Sequence, residues 1–375
     1  MDTEKRIELI KQDVSEVLTE EDLRVLIKEK VPLKHYIGFE ISGKIHLGTG
    51  LMAGKKIADF QKAGIDCSCY LATWHAWINN KLGGDLDTIR KASEYFKEGL
   101  KMSINIMGGD SSKVKFVTGD ELYHNNDKFW LTVIEIAKHT TLKRALRSIT
   151  IMGRKEGEDV ALAGLFYAPM QVADIFIQQL NIAHAGLDQR KAQVIAREVA
   201  EKLKISPLKH DGKIYKPIAI HHPLIMGLLT PPEWPIPKDK LDEYLSEMKM
   251  SKSVPGSAIF ITDTPDEIKK KLNNAFCPLG DISYNPIINW CEHLIFIEDK
   301  SKLEIKRPAK FGGNKTYKSL EALNKDFVAK KLHPMDLKNA VADYLIKLLE
   351  PARKHFEQPK LKKLKEEIDT LSVTR

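Results

Sequence analysis

Few cysteines and no long apolar run set the first limits. The 375-residue chain has four cysteines, Cys67, Cys69, Cys277 and Cys291, too few and too scattered for the disulfide framework of a small secreted domain. Cys67-Ser68-Cys69 offers half of a metal site, yet no second pair follows at ligand spacing, so a buried strand is its expected setting. His221-His222-Pro223 lacks carboxylate or cysteine company and is an equally weak metal candidate, so no protein-ligated metal is expected. The uninterrupted apolar stretches fall far short of the ~20 residues of a membrane span. The acidic start Met1-Asp2-Thr3-Glu4 is unlike a signal peptide. A cytoplasmic protein without membrane association is therefore expected. Internal repeats are also lacking. What is present, 43% hydrophobic residues over this length, supports ordinary globular cores and room for two domains.

The formal net charge is +8, and residues 301–375 hold 18 Lys or Arg against 10 Asp or Glu, so the last fifth of the chain carries the whole excess. Such a distribution suits a C-terminal module that binds a polyanion; a solvated, lysine-rich helical surface would look the same.

Along the first 220 residues strand-like and helix-like segments alternate. Strands are expected at 35–41, 65–73, 114–117 and 214–220, and helices at 47–63, 86–106, 128–138, 161–180 and 188–204. This alternation argues for a parallel sheet with helices on both faces, with ligands at the carboxyl ends of its strands. A Pro-rich stretch from Pro231 to Pro237 and a charged run to Met248 mark a boundary or insertion. A short strand at 258–261 follows. Thr264-Pro265-Asp266-Glu267 then has the residues of a capped helix start, and helices are expected at 264–276, 319–329 and 334–350. The expected division is 1–220, 221–263 and 264–375.

Two short runs carry the chemistry. In Lys249-Met250-Ser251-Lys252-Ser253, two cations and two hydroxyls precede a Pro-Gly turn, which suits a loop that clamps a polyphosphate. In His46-Leu47-Gly48-Thr49-Gly50, the glycines allow backbone to approach phosphate or adenine, His46 can donate to phosphate oxygen, and the following helix aims its positive end at the same place. Tyr167, Gln171 and Asp174 stand at i, i+4 and i+7 and share one helix face.

Together the two runs resemble the ATP-handling signatures of class I aminoacyl-tRNA synthetases. Tyr36-Ile37-Gly38-Phe39-Glu40 leading through Ser42-Gly43 into His46 resembles the opening of archaeal and eukaryotic tyrosyl-tRNA synthetases. Similar likeness is found at Tyr167-Ala168-Pro169-Met170-Gln171-Val172-Ala173-Asp174-Ile175, Gly186–Lys191, Arg307–Gly313 and Leu332–Asn339, so it covers nearly the whole chain. The resemblance implies an α/β architecture: a Rossmann-like parallel-sheet catalytic domain followed by a smaller all-α anticodon-binding domain. It implies adenylation of tyrosine with Mg·ATP and transfer to tRNA(Tyr) by a homodimer. His46, Thr49, Lys249, Ser251, Lys252 and Ser253 would serve catalysis, with Gly48, Gly50 and Met250 at ATP. Tyr36 and Asp174 would face the substrate phenol, Tyr167, Gln171 and Gln189 its ammonium group, and His75 the pocket wall. Arg147 and Arg190 would read the first acceptor base pair, although arginines there serve surface ion pairs equally well. Phe311, His333 and Asp336 would receive the first anticodon base.

The chain departs from the family pattern at Thr49, where a second histidine is usual, at Thr73, where aspartate is common, and at Ala168, often proline. Three other readings stand beside this one: a tryptophanyl enzyme, a small-molecule adenylyltransferase, and a non-catalytic RNA-binding paralog.

Overall fold

The computed structural model describes residues 2–155, 157–237, 244, 248–252, 254–298 and 300–371. The chain forms two compact units, one of Met1–Gly43, Gly54–Pro223 and Glu366–Arg375, the other of Lys44–Ala53 and Leu224–Lys365. Of the 221–263 segment expected as a linker, the part from Leu224 on belongs to the second unit, which also takes ten residues from far upstream.

The first unit is built on six strands: β1 (Glu16–Leu18), β2 (Lys34–Glu40), β3 (Asp66–Ala72), β4 (Val114–Thr118), β5 (Ile182–Gly186) and β8 (Ile218–His222), with β6 (Lys209–His210) and β7 (Lys213–Ile214) forming a small separate pair. Their order is β1-β8-β5-β2-β3-β4, parallel throughout except for β1 against β8. From β2 the chain proceeds to β3 and β4 on one side and later to β5 and β8 on the other. The β2–β5 seam is therefore the topological switch point, where doubly wound sheets open a crevice for ligands. The α/β expectation with a mainly parallel sheet holds.

Boundaries moved where local chemistry intervened. The last strand begins at Ile218 rather than 214, just after Pro217, which cannot donate to a ladder. Helix 188–204 contracts to Arg190–Val199 between two single turns. Strand β5 was not expected; Ile-Ala-His-Ala-Gly has little β-propensity, yet it sits at the centre of the sheet.

Alternation along the strands gives the sheet two unlike faces. Tyr36, Gly38, Glu40, Tyr70 and Ala183 lie on one. On the other, three imidazoles form a buried row across three strands: His35 Nε2 lies 3.0 Å from His184 Nδ1, and His184 Nε2 lies 2.7 Å from His222 Nδ1. Phe60 packs beside this row, edge-on to His184. Burial and the neighbouring Lys56 push His35 down to about 3, burial takes His222 down to about 4, and His184 is lowered by burial and by its histidine neighbours. Cys67 and Cys69 are buried free thiols on β3, and burial pushes Cys67 up to about 12.

The second unit is mostly helical, with Pro265–Asn273, Leu320–Val328 and Pro334–Leu348 close to expectation. Thr264 and Glu267 form a reciprocal capping box at the first of these. The all-α expectation omitted a short antiparallel pair, β9 (Leu303–Ile305) with β10 (Lys315–Tyr317). The expected strand at 258–261 is reduced to an isolated bridge between Phe260 and His46. The described ends of the Pro231–Met248 segment pack onto this unit: Trp234 meets Phe276 edge-on at 5.0 Å, and Tyr244 and Met248 join a core cluster with Met226 and Tyr284.

Candidate functional site

A carboxylate with no exposure anchors the first constellation. Asp174, from the inward face of helix Gly164–Ile177, is completely buried. Tyr123 donates to its Oδ1 at 2.7 Å and Tyr36, from β2, donates to its Oδ2 at 3.4 Å. Burial drives the Asp174 carboxyl well above the usual range, while the two phenol donors pull it back. Burial also raises both phenols, and the adjacent carboxylate raises them further, so they keep their protons and act as donors. Gly38 makes this approach sterically feasible: a Cβ there would stand 2.7 Å from the Tyr36 hydroxyl.

One and two turns earlier on the same helix, Gln171 and Tyr167 point to neighbouring polar groups. Tyr167 donates to Glu40 Oε1 at 3.1 Å, an oxygen that also receives the Asn79 amide at 2.8 Å. Gln171 Nε2 reaches Gln189 Oε1 at 3.4 Å, and Gln189 in turn donates to the carbonyl of Ile151 at 2.9 Å. His75 stands edge-on to Tyr167, with ring centroids 4.6 Å apart, and burial lowers it to about 4. Gln171 Oε1 and His75 Nε2 are buried without a protein partner. An acceptor and a ring nitrogen left unmet beside paired carboxamides and Glu40 suit a small ligand that brings its own donors and acceptors. The six residues expected at tyrosine, Tyr36, His75, Tyr167, Gln171, Asp174 and Gln189, all fall in this first unit, linked by these contacts. Thr73 is fully buried, its hydroxyl unpartnered and facing Gly119, where a Cβ would lie 2.8 Å away.

Sequence reasoning passed over Tyr70 and Tyr123. Tyr70 was legible in principle, since strand alternation puts it on the face of Tyr36's neighbour Ser68. Tyr123 lies on a five-residue helix, Gly119–Tyr123, and only the fold brings it to Asp174.

The second constellation lies wholly in the other unit and brings together segments about 200 residues apart in sequence. Leu47 donates to the Ile259 carbonyl at 3.0 Å and Ile261 to the Ile45 carbonyl at 3.0 Å, which fixes the glycine turn beside Phe260. The lysine run is held by backbone as well: Met250 donates to Ile225 at 2.9 Å, Gly227 donates to Met248 at 2.7 Å, and Lys249 bridges Met226. Ser257 donates to the Ser251 carbonyl at 3.0 Å. Met250 is buried, and its side chain anchors the run between the two lysines. Ser253 lies outside the described residues. A Cβ on Gly48 would come within 3.1 Å of both the His46 ring and Ile225. The Thr49 backbone donates to His46 Nδ1 at 3.2 Å, and its hydroxyl lies 3.0 Å from Nε2. Thr49 therefore orients the His46 ring, which answers what threonine does in place of a second histidine. Gly50 donates to the His46 carbonyl at 2.8 Å. Burial, then Lys252 and Lys249, hold His46 well below the usual imidazole range. Cations and backbone turns fit phosphate oxygens.

The expected RNA-facing residues make contacts of their own. Arg147 is exposed on helix Leu142–Ser148. Arg190 makes a two-pronged ion pair with Glu16, at 2.7 and 2.8 Å, and Glu16 also meets His221. In the second unit Phe311 is 60% exposed with Lys310 over its ring. His333 caps helix Pro334–Leu348 by accepting from Met335, and Asp336 faces Arg307 at 3.9 Å. Arg307 also donates to the Gly313 and Lys331 carbonyls, so it ties the Phe311 loop to the start of that helix.

Residues 28–350 match the family described as class I tRNA synthetases (W and Y). A tyrosine–tRNA ligase of Thermococcus sibiricus is 60% identical over 96% of both chains, and one of Pyrococcus abyssi is 58% identical over the same shares. The crystal structure of the tyrosyl-tRNA synthetase of Pyrococcus horikoshii complexed with L-tyrosine is 56% identical, covers 98% of this chain and 100% of its own, and superposes with a TM-score of 0.95.

Proposed function

Because this chain belongs to the tyrosyl-tRNA synthetases of class I, we propose that it activates L-tyrosine with ATP and transfers the tyrosyl group to the terminal adenosine of tRNA(Tyr). The single observation that carries tyrosine selection is the fully buried Asp174 with the Tyr36 hydroxyl beside it. A substrate phenol would donate to the carboxylate and accept from Tyr36, whereas phenylalanine would leave both unmet. Discrimination of this kind by tyrosyl-tRNA synthetase is known to reach about 10⁵ against phenylalanine. Gln171, Gln189 and Tyr167 would hold the ammonium group, supported by the unmet Gln171 oxygen.

In the first step the tyrosine carboxylate attacks the α-phosphorus of ATP, forming a P–O bond while the bond to pyrophosphate breaks. Lys249 and Lys252 stabilise charge on the departing pyrophosphate, and His46, set by Thr49, donates to phosphate oxygen. In the second step a ribose hydroxyl of tRNA attacks the tyrosyl carbonyl and AMP leaves. Magnesium would arrive with ATP, and when bound it would neutralise triphosphate charge alongside Lys249 and Lys252. The basic 301–375 segment, with Phe311, His333 and Asp336, would take the anticodon, and Arg147 the acceptor stem. For Arg190 the Glu16 ion pair supports the alternative of a surface salt bridge. A homodimer is supported by exposed Leu131, Ile134, Leu142 and Leu146 on two consecutive helices. Among the described residues no helix is long and apolar enough to cross a membrane; a cytoplasmic location follows from the proposed work on tRNA.

Tyrosine-dependent exchange of pyrophosphate into ATP tests the reading at its centre. Exchange driven by tyrosine and not by tryptophan, followed by charging of tRNA, is the expected result. Exchange with tryptophan alone, or tRNA binding without charging, would sink it.

A further inference from the structure

The Tyr70 hydroxyl donates to the Tyr123 hydroxyl at 2.5 Å, and Tyr123 donates to Asp174 Oδ1 at 2.7 Å. All three side chains are fully buried. The Tyr70 proton occupies the Tyr123 oxygen, and the Tyr123 proton goes to Asp174 Oδ1 at 2.7 Å rather than to the other group facing it, His75 Nδ1 at 3.5 Å. The Tyr123 ring is held from both sides, stacked on Phe129 at 4.0 Å and edge-on to Trp74 at 5.5 Å. Gly119 closes over the outer end: a Cβ there would lie 3.1 Å from the Tyr70 hydroxyl. By contrast Tyr36 stands 3.4 Å from Oδ2, a long bond. The two carboxylate oxygens are thus unequal, one tightly engaged and one weakly.

We propose that Tyr123, directed by Tyr70, is a specificity-determining positioning residue: it locks the rotation of the Asp174 carboxylate so that Oδ2 is presented to the substrate phenol. The inference rests on the proposed tyrosine activation. A carboxylate held this way meets the incoming O–H without reorganising, and a donor on Oδ1 also opposes the rise that complete burial imposes on the carboxyl.

The test compares pyrophosphate exchange driven by tyrosine and by phenylalanine in wild type, Tyr123→Phe and Tyr70→Phe. Wild-type exchange with tyrosine decides the underlying reading; the variants decide this one. Loss of a hydrogen bond to a charged group predicts that Tyr123→Phe lowers kcat/KM for tyrosine by about tenfold or more, chiefly through KM. Phenylalanine activation should change little, so discrimination narrows by the same factor. The acid limb of the tyrosine pH profile should move to higher pH. Tyr70→Phe, which leaves the Tyr123–Asp174 bond in place, should shift both readouts the same way and less. Equal losses for both amino acids with an unmoved acid limb would mean that the phenols merely fill space, and unchanged discrimination would overturn the proposal. If Tyr123→Phe does not fold, Tyr70→Phe decides alone: no narrowing of discrimination and no shift of the limb refutes it.

Discussion

Lys252 and Asp174 illustrate two kinds of charged residue that a chain can reveal at very different cost. Lys252 sits in a five-residue run whose composition already states its chemistry. If its cation acts on pyrophosphate as it leaves, Lys252→Ala should lower kcat for adenylation by about 100-fold while KM for tyrosine stays within a few-fold. Single-turnover formation of tyrosyl-adenylate measures this, and a rise in tyrosine KM with unchanged kcat would contradict it. Asp174 was legible because helix periodicity links it to Gln171 and Tyr167. Its partner Tyr123 was not, since 51 residues separate them and no local pattern joins a short helix to a buried carboxylate. The same holds for Arg307, visible as part of a motif but not as the tie between the Phe311 loop and Asp336. Thr49 shows a third case: the departure from pattern was plain, and its use as an orienter of His46 emerges only in the folded turn.

Among elements, those with strong local rules came through best. The Leu86–Ile106 helix matches expectation at both ends, with Asp85 capping it by accepting from Thr88. The Thr264 box is similar, and Thr264→Ala should cost about 1 kcal/mol, read as a lower urea midpoint. Strand β5 was lost because sheet position, not its own residues, makes it a strand. That strand carries His184, centre of the imidazole row, and the row predicts a pH response. Each member's folded-state pKa lies below its unfolded value, so the neutral form is favoured by folding. Their contribution is complete above about pH 6.5 and is lost as pH falls toward the values of about 3 and 4 held by His35 and His222. Each histidine then weakens the fold by about 1.4 kcal/mol per pH unit. Lys56 lies near all three, and Asp188 and His221 act on His222. Asp174, raised by burial, works in the opposite sense. Unfolding at pH 5 should therefore take up protons, about three from the row alone, measurable by calorimetry in buffers of differing ionisation enthalpy. No uptake would show that the row is already charged.

At the scale of the whole molecule, charge was legible as a distribution and its partner as a polyanion. Binding of tRNA should weaken as salt rises, with a log–log slope that becomes shallower by about 0.7–0.9 for each phosphate-contacting lysine of 301–375 replaced by alanine. Filter binding over a salt series measures the slope, and an unchanged slope would assign those lysines to solvent. The division into compact units was less legible, because composition marks a boundary near Pro231 but cannot show that Lys44–Ala53 is shared out to the later unit. That sharing has a consequence for synthesis. The Ile45–Ile261 hydrogen bond joins residues 216 positions apart, so residues 44–53 leave the ribosome long before their partners exist. At roughly 5–20 residues per second this interval is on the order of ten seconds or more. During it Ile45, Leu47 and Leu51, all fully buried in the finished fold, have no counterpart from their own unit. The glycine signature thus waits for Ile259 and Ile261 to be made before its backbone partners exist.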